Sequence, residues 1–98
     1  MGREDLNLRW TRPALADFIE AQDYVAHENP SAARALAQRL WDAARGLQDN
    51  PEIGRTGHVT GTREWVVTQT PYLIVYRIAG DAVEILRLWH TKQNWKKL

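Results

Sequence analysis

GTREWVV (Gly61–Val67), TPYLIVYRI (Thr70–Ile78) and GDAVEILRLWH (Gly80–His90) decide the fold. Each run is rich in β-branched and aromatic residues, and each is bounded by turn formers: Thr70-Pro71 before the second, Ala79-Gly80-Asp81 before the third. They read as three strands joined by tight turns. The middle one, Tyr72–Ile78, is apolar on both faces apart from Arg77, as a central strand should be. Arg63, Glu64, Arg77, Arg87 and His90 interrupt otherwise apolar strands. Charged groups there are paired or used, because leaving them bare inside a sheet costs free energy.

Outward from these strands, LNLRWT (Leu6–Thr11) alternates apolar and polar residues and reads as a further short strand. Pro13 opens a helix, since the first turn has no use for the N–H that proline lacks. Leu15, Phe18, Ile19, Gln22, Val25 and Ala26 follow at helical spacing and form one stripe expected to be buried. Asn29 and Pro30 suit the N-cap and first position of a second helix, on which Ala33, Leu36, Ala37, Leu40, Ala43, Ala44 and Leu47 repeat the spacing. The pair, Pro13–His27 and Pro30–Asp49, reads as an antiparallel helical hairpin. Residues 51–61 hold three glycines and a proline and read as a loop. The order β-α-α-β-β-β implies an α+β fold of one domain over residues 1–98: a mostly antiparallel sheet of three to five strands with the hairpin on one face. Leu15, Phe18, Ile19, Leu36, Leu40, Leu47, Ile74, Tyr76, Ile85 and Leu86 are the expected core.

Composition narrows the function classes. With 98 residues and no cysteine, the chain has no disulfide, thiolate metal site or cysteine nucleophile. No apolar run nears the roughly 20 residues that span a bilayer, and no signal peptide is expected, so a cytoplasmic location and no membrane partner are the expectation. Residues 1–50 carry six arginines against eight carboxylates; residues 51–98 carry seven basic residues against four acidic ones. The strand-rich half is the basic half, which suits a polyanionic partner. His27, His58 and His90 are isolated from carboxylates at ligand spacing, so neither metal nor cofactor is expected. His58 reads as solvated in its glycine loop, and His27 as a favourable helix-end histidine. TKQNWKKL (Thr91–Leu98) reads as a basic tail forming one helical turn or a short strand.

The ordered set of a strand followed by WTRPALADF (Trp10–Phe18), LxxNPEIGR (Leu47–Arg55), GxRE (Gly61–Glu64), PYLIVYRI (Pro71–Ile78) and VEILRLWH (Val83–His90) resembles the RelE/ParE superfamily. The resemblance spans about Leu6 to Trp95. It implies the toxin of a type II toxin–antitoxin module of the plasmid-stabilisation kind, held in a hetero-oligomeric complex by a cognate antitoxin whose C-terminal segment wraps it.

That superfamily has two branches, one cutting mRNA on the 70S ribosome and one poisoning DNA gyrase. Metal-free RNA cleavage needs a base, a cation for the phosphorane and an acid. Glu64, Arg63 with Arg77, and His90 are the candidates for those roles. Regular strands put Arg63 and Glu64 on opposite faces, and put His90 with Leu86 and Leu88 but Arg87 with Ile85 and Trp89. The cutting branch often carries arginine where this chain has Leu73. Structural alternatives stand beside each role: Arg63 and Glu64 as a surface pair, Arg77 paired with Glu84 across the turn, His90 as a hydrogen-bonded strand end. Gyrase poisoning asks for a rigid scaffold and a basic segment, which Lys92, Trp95, Lys96 and Lys97 supply. Trp41, Arg87 and Trp89 complete the candidates for antitoxin or target contact. An inactive module that keeps only antitoxin binding is the third reading.

Overall fold

Thr11 and Asn29 start the two helices. The Thr11 hydroxyl accepts the Ala14 amide at 3.2 Å and the Asn29 side chain accepts that of Ala32 at 3.0 Å, each pairing a donor that the first helical turn leaves open. Prolines 13 and 30 sit in those first turns. The computed structural model describes residues 6–92. Its elements run β1 (Asn7–Trp10), α1 (Arg12–Ala26), α2 (Pro30–Asp49), β2 (Arg55–Thr56), β3 (Arg63–Val66), β4 (Tyr72–Ala79) and β5 (Ala82–His90). The short β2 lies inside what the sequence suggested was a loop.

The sheet order is β1-β5-β4-β3-β2. All neighbours are antiparallel except β1, which runs parallel to β5 with Asn7 opposite Ala82 and Trp10 opposite Ile85. β4 and β5 join through Gly80-Asp81. Gly80 takes φ of +59°, the conformation that a tight hairpin asks of its first loop residue. The expected α+β fold and hairpin are present.

Both helices cover one sheet face. Between them lies the main core, which includes Ala14, Ala21, Leu40, Ala44, Leu47, Ile74, Tyr76, Val83, Ile85 and Leu88. Phe18 and Leu36 pack at its edge. Two expected core residues do not belong to it: Leu15 and Ile19 are 39% and 56% exposed. The stripe of α1 that faces inward runs through Ala14, Asp17, Phe18 and Ala21 instead. Small alanines let the helix approach the sheet closely, which turns the bulkier neighbours outward. Leu86 is also displaced. A bulge between the β4 residues Val75 and Tyr76 pairs Val75 with Arg87 and Tyr76 with Ile85, leaving Leu86 as the extra residue. Ile85 and Leu88 therefore both face the helices, and Leu86 joins Leu73, Val75 and Trp89 in a smaller cluster on the opposite face.

The loop after α2 is fixed from within. The fully buried Tyr76 donates its hydroxyl to the Pro51 carbonyl at 2.8 Å and accepts the Gly54 amide at 2.9 Å. A Cβ on Gly54 would meet that hydroxyl at 2.4 Å, so only glycine fits under the ring. Gly54 owes its residue type to this contact.

Leu40 is 0% exposed at the centre of the main core. Leu40→Ala is expected to cost about 2–5 kcal/mol, read as a lower urea midpoint at unchanged slope.

Candidate functional site

β5 loses its outer neighbour where β1 ends. From there α1 takes over. The Thr11 hydroxyl donates to the carbonyls of Ile85 and Leu86 at 3.0 Å. One Asp17 oxygen accepts the Leu88 amide at 2.9 Å, and both oxygens grip the Arg87 guanidinium at 2.8 and 3.0 Å. This two-point pair holds Arg87 charged, its pKa raised first by those hydrogen bonds. The guanidinium also lies 5.7 Å from the centre of the Trp89 ring. Trp89 is 6% exposed, so it packs against the sheet and offers a partner almost no surface.

The four candidate nuclease groups split between the two faces. Arg63 and His90 lie on the helix-covered side, opposite Tyr76 and Tyr72 in the ladder; Glu64 and Arg77 lie on the other, opposite Val75 and Glu84. Arg63 donates to the carbonyls of Glu52 and Gly54 at 3.2 and 2.8 Å and so braces the loop over Tyr76. Arg77 pairs with Glu84 at 2.7 Å, and Arg9 of β1 holds the other oxygen at 3.1 Å. Those hydrogen bonds, from Arg77 first, hold the Glu84 carboxyl below its ordinary range.

Glu64 is buried and fully engaged. It accepts the His58 amide at 2.9 Å and Arg55 at 3.2 Å, and contacts the His58 ring at 2.6 Å. Desolvation pushes its pKa up, but the bonds from His58 and Arg55 together bring it below the ordinary value. A carboxylate held in that state is a weak base. His58 is thus not the solvated loop residue its sequence setting suggested: half-exposed, it caps Glu64 and pins the segment between β2 and β3.

Of the four, Glu64 lines an open cleft with Arg55 and Trp65, and His90 opens onto another. The His90 Nδ1 accepts the Lys92 amide at 3.2 Å, leaving the proton of the neutral ring on Nε2, and its ring meets Tyr72 edge-on at 5.4 Å. The His90 cleft, about 260 Å³, is also lined by Asp17, Glu20, Tyr24 and Tyr72. Burial, then the charge of Glu20, raises the Tyr72 phenol. Asp17, Glu20 and Tyr24 were not read from the sequence as site residues; their signal was an acidic cluster on a helix that otherwise looked like scaffold. Trp41 stacks on Trp10 at 5.2 Å and contacts Phe18 at 5.7 Å, yet stays 39% exposed. Lys92 is exposed; Trp95, Lys96 and Lys97 lie outside the described residues. Among the described residues no three His, Asp or Glu side chains gather as a metal site, and no helix is long and apolar enough to cross a membrane.

A family model described as the ParE toxin of the type II toxin–antitoxin system parDE matches residues 8–95. Protein Y4kP of Sinorhizobium fredii is 38% identical over 91 residues, covering 93% of this chain and 94% of that protein. Toxin RelE2 of Caulobacter vibrioides is 41% identical over 81 residues, covering 83% and 90%. A solved structure of the chromosomal ParDE toxin–antitoxin system from P. aeruginosa superposes with a TM-score of 0.82 at 28% identity, covering 88% of this chain and 96% of that one.

Because the charged form of Glu64 is favoured in the fold, its stabilisation is complete above the ordinary value of 4.5 and is lost as pH falls through the lowered value. Glu64→Gln should therefore cost roughly 1–3 kcal/mol at neutral pH. The gap to the parent should narrow in denaturant melts as pH is lowered below 4.5.

Proposed function

The chain belongs to the ParE toxin family of type II toxin–antitoxin systems, and we propose that it arrests growth by poisoning DNA gyrase until an antitoxin covers it. The observation that carries this choice of target is the state of the candidate nuclease groups. Arg63, Glu64 and Arg77 are each committed to a structural bond, and they lie on two faces. His90 faces a cleft in which Asp17 already holds Arg87 and the remaining carboxylate, Glu20, opposes the approach of an RNA phosphate. A site for phosphorane chemistry needs the reverse, a free cation beside its acid.

A gyrase poison needs no proton transfer of its own. It needs a firm scaffold, which the five-stranded sheet and its helices provide. It also needs a charged segment for the target, for which Lys92 and the basic residues after it are suited by composition.

The family implies an antitoxin partner, and the hairpin carries apolar surface for one. Leu15 and Ile19 stand one helical turn apart on α1, both exposed, and Trp41 of α2 is exposed beside the Trp10–Phe18 cluster. A sheet edge is a second place for the antitoxin. β2 pairs only with Arg63 and Glu64, so Trp65 and Val66 of β3 lack an outer neighbour among the described strands. Arg63, Arg77 and Arg87 already hold internal partners, so antitoxin carboxylates are better matched to the cations that do not.

His90→Ala is expected to leave most toxicity intact, while removal of the chain from Lys92 onward abolishes it; loss of a rate-limiting acid would instead cost about 10²–10⁴-fold. Growth assays with circular dichroism on each variant separate loss of function from loss of fold. A folded His90→Ala protein that is harmless, beside wild-type protein that cleaves mRNA on ribosomes, would sink the gyrase reading. Failure of the adjacent gene product to rescue growth or form a complex on gel filtration would sink the antitoxin reading.

A further inference from the structure

Buried donors in folded proteins nearly always have an acceptor. Among the described residues one side-chain donor does not: Trp10 Nε1, at the end of β1, is buried and meets no acceptor. Its ring stacks on Trp41 of α2 at 5.2 Å, with 10° between the planes, and Phe18 of α1 leans on it at 5.3 Å. The chain alone thus holds an unpaired N–H, which costs stability, inside a cluster whose outer member, Trp41, is exposed.

The surface around Trp41 is apolar at its centre and cationic along α2. Phe18 meets Trp41 at 5.7 Å, which brings that stretch of α1, with the exposed Leu15 and Ile19, beside it. Arg34, Trp41 and Arg45 are spaced i, i+7 and i+11, so they share one stripe of α2. Both arginines are exposed, and neither side chain makes a hydrogen bond or ion pair among the described residues. Asp42 and Asp49 lie within about a turn of Arg45 on the same helix. Asp42 bonds Gln38 at 2.9 Å instead, and Asp49 forms no ion pair among the described residues. The unmet polar groups of this surface, two guanidinium heads and one indole N–H, are therefore all donors.

We propose that this outer face of the hairpin receives an acidic, amphipathic segment of the antitoxin. Its apolar residues lie on Leu15, Ile19 and Trp41, its carboxylates meet Arg34 and Arg45, and it turns the Trp41 ring aside to give Trp10 Nε1 an acceptor. This rests on the antitoxin reading above and adds the chemistry of the partner. A basic or purely apolar segment leaves all three donors unmet, so the face selects against it. A carboxylate meets a guanidinium through two parallel bonds, and tryptophan and arginine are the residues on which binding energy concentrates at protein interfaces.

The test titrates the antitoxin, as the product of the adjacent gene, into the purified wild-type toxin and two variants whose melting points are checked. Arg34→Gln/Arg45→Gln should bind about tenfold or more weakly and lose much of the salt dependence of binding. Arg39→Gln, which removes an arginine from another stripe of the same helix, should bind as wild type does. In the wild-type complex, NMR should show nuclear Overhauser contacts between the Trp10 Nε1 proton and antitoxin protons. Unchanged affinity in the double variant, or equal weakening by Arg39→Gln, overturns the acidic segment. Absence of any contact from the Trp10 proton to the antitoxin overturns the acceptor at Nε1. If the wild-type toxin forms no complex, the antitoxin reading fails and this proposal falls with it. A complex that forms and tolerates the double variant overturns this proposal alone.

Discussion

Past Ile85 the outer edge of β5 has no strand beside it, and a single carboxylate of α1 closes it. Asp17 accepts the Leu88 amide and clamps Arg87 through both oxygens. Thr11, one residue before the same helix, pairs the carbonyls on the other side of the bulge. A short polar side chain can reach a strand backbone only if the helix lies close and presents that face. Ala14 and Ala21, both essentially unexposed, make the close approach possible. Asp17 thus fixes the rotation of α1, and that rotation turns Leu15 and Ile19 toward solvent. Edge closure inside the molecule and an apolar surface outside it are two results of one contact.

The parts of the fold written in local chemistry were legible. Thr11, Asn29 and the prolines marked the helix starts, Gly80-Asp81 marked the central hairpin, and Arg77 does pair with Glu84 across it. What escaped the sequence was set by residues far apart in the chain. Helical spacing identifies a stripe but not which of two adjacent stripes meets the sheet, and here alanines beside the half-buried Asp17 outcompeted Leu15 and Ile19. The bulge at Leu86 leaves no mark on the sequence, where Ile85 and Leu86 are adjacent apolar residues, so their faces were exchanged. His58 looked free because the Glu64 it caps sits across a loop. At the candidate site, the split of Arg63 from Glu64 followed from strand alternation alone. The acidic cleft did not, since Glu20 and Tyr24 come from α1 while Tyr72 and His90 come from the sheet.

The charge asymmetry between the two halves acquires a location. Most arginines of the sheet are paired in place: Arg9 and Arg77 share Glu84, Arg55 meets Glu64 and Arg87 meets Asp17, while Arg63 bonds backbone carbonyls. Beyond Asp17, the acids of α1, Glu20 and Asp23, lie toward its far end and lack such partners among the described residues. The surface beside Tyr24 thus carries negative charge without an ion-pair partner, although the chain carries a formal net charge of +1.

The parallel pairing of β1 with β5 sets a constraint on how the molecule comes into being. Asn7 meets Ala82 and Trp10 meets Ile85, so this ladder joins the two ends of the described chain. The β4–β5 hairpin and the helical hairpin are each local and can form early. β1 cannot dock until β5 exists, and Asp17 has no strand to close until Leu88 has been synthesised. During translation α1 must wait with its aspartate unpaired and its alanine face uncovered, and a chain broken off before β5 keeps it so. The native arrangement of the sheet is thus reached only once β5 has been made.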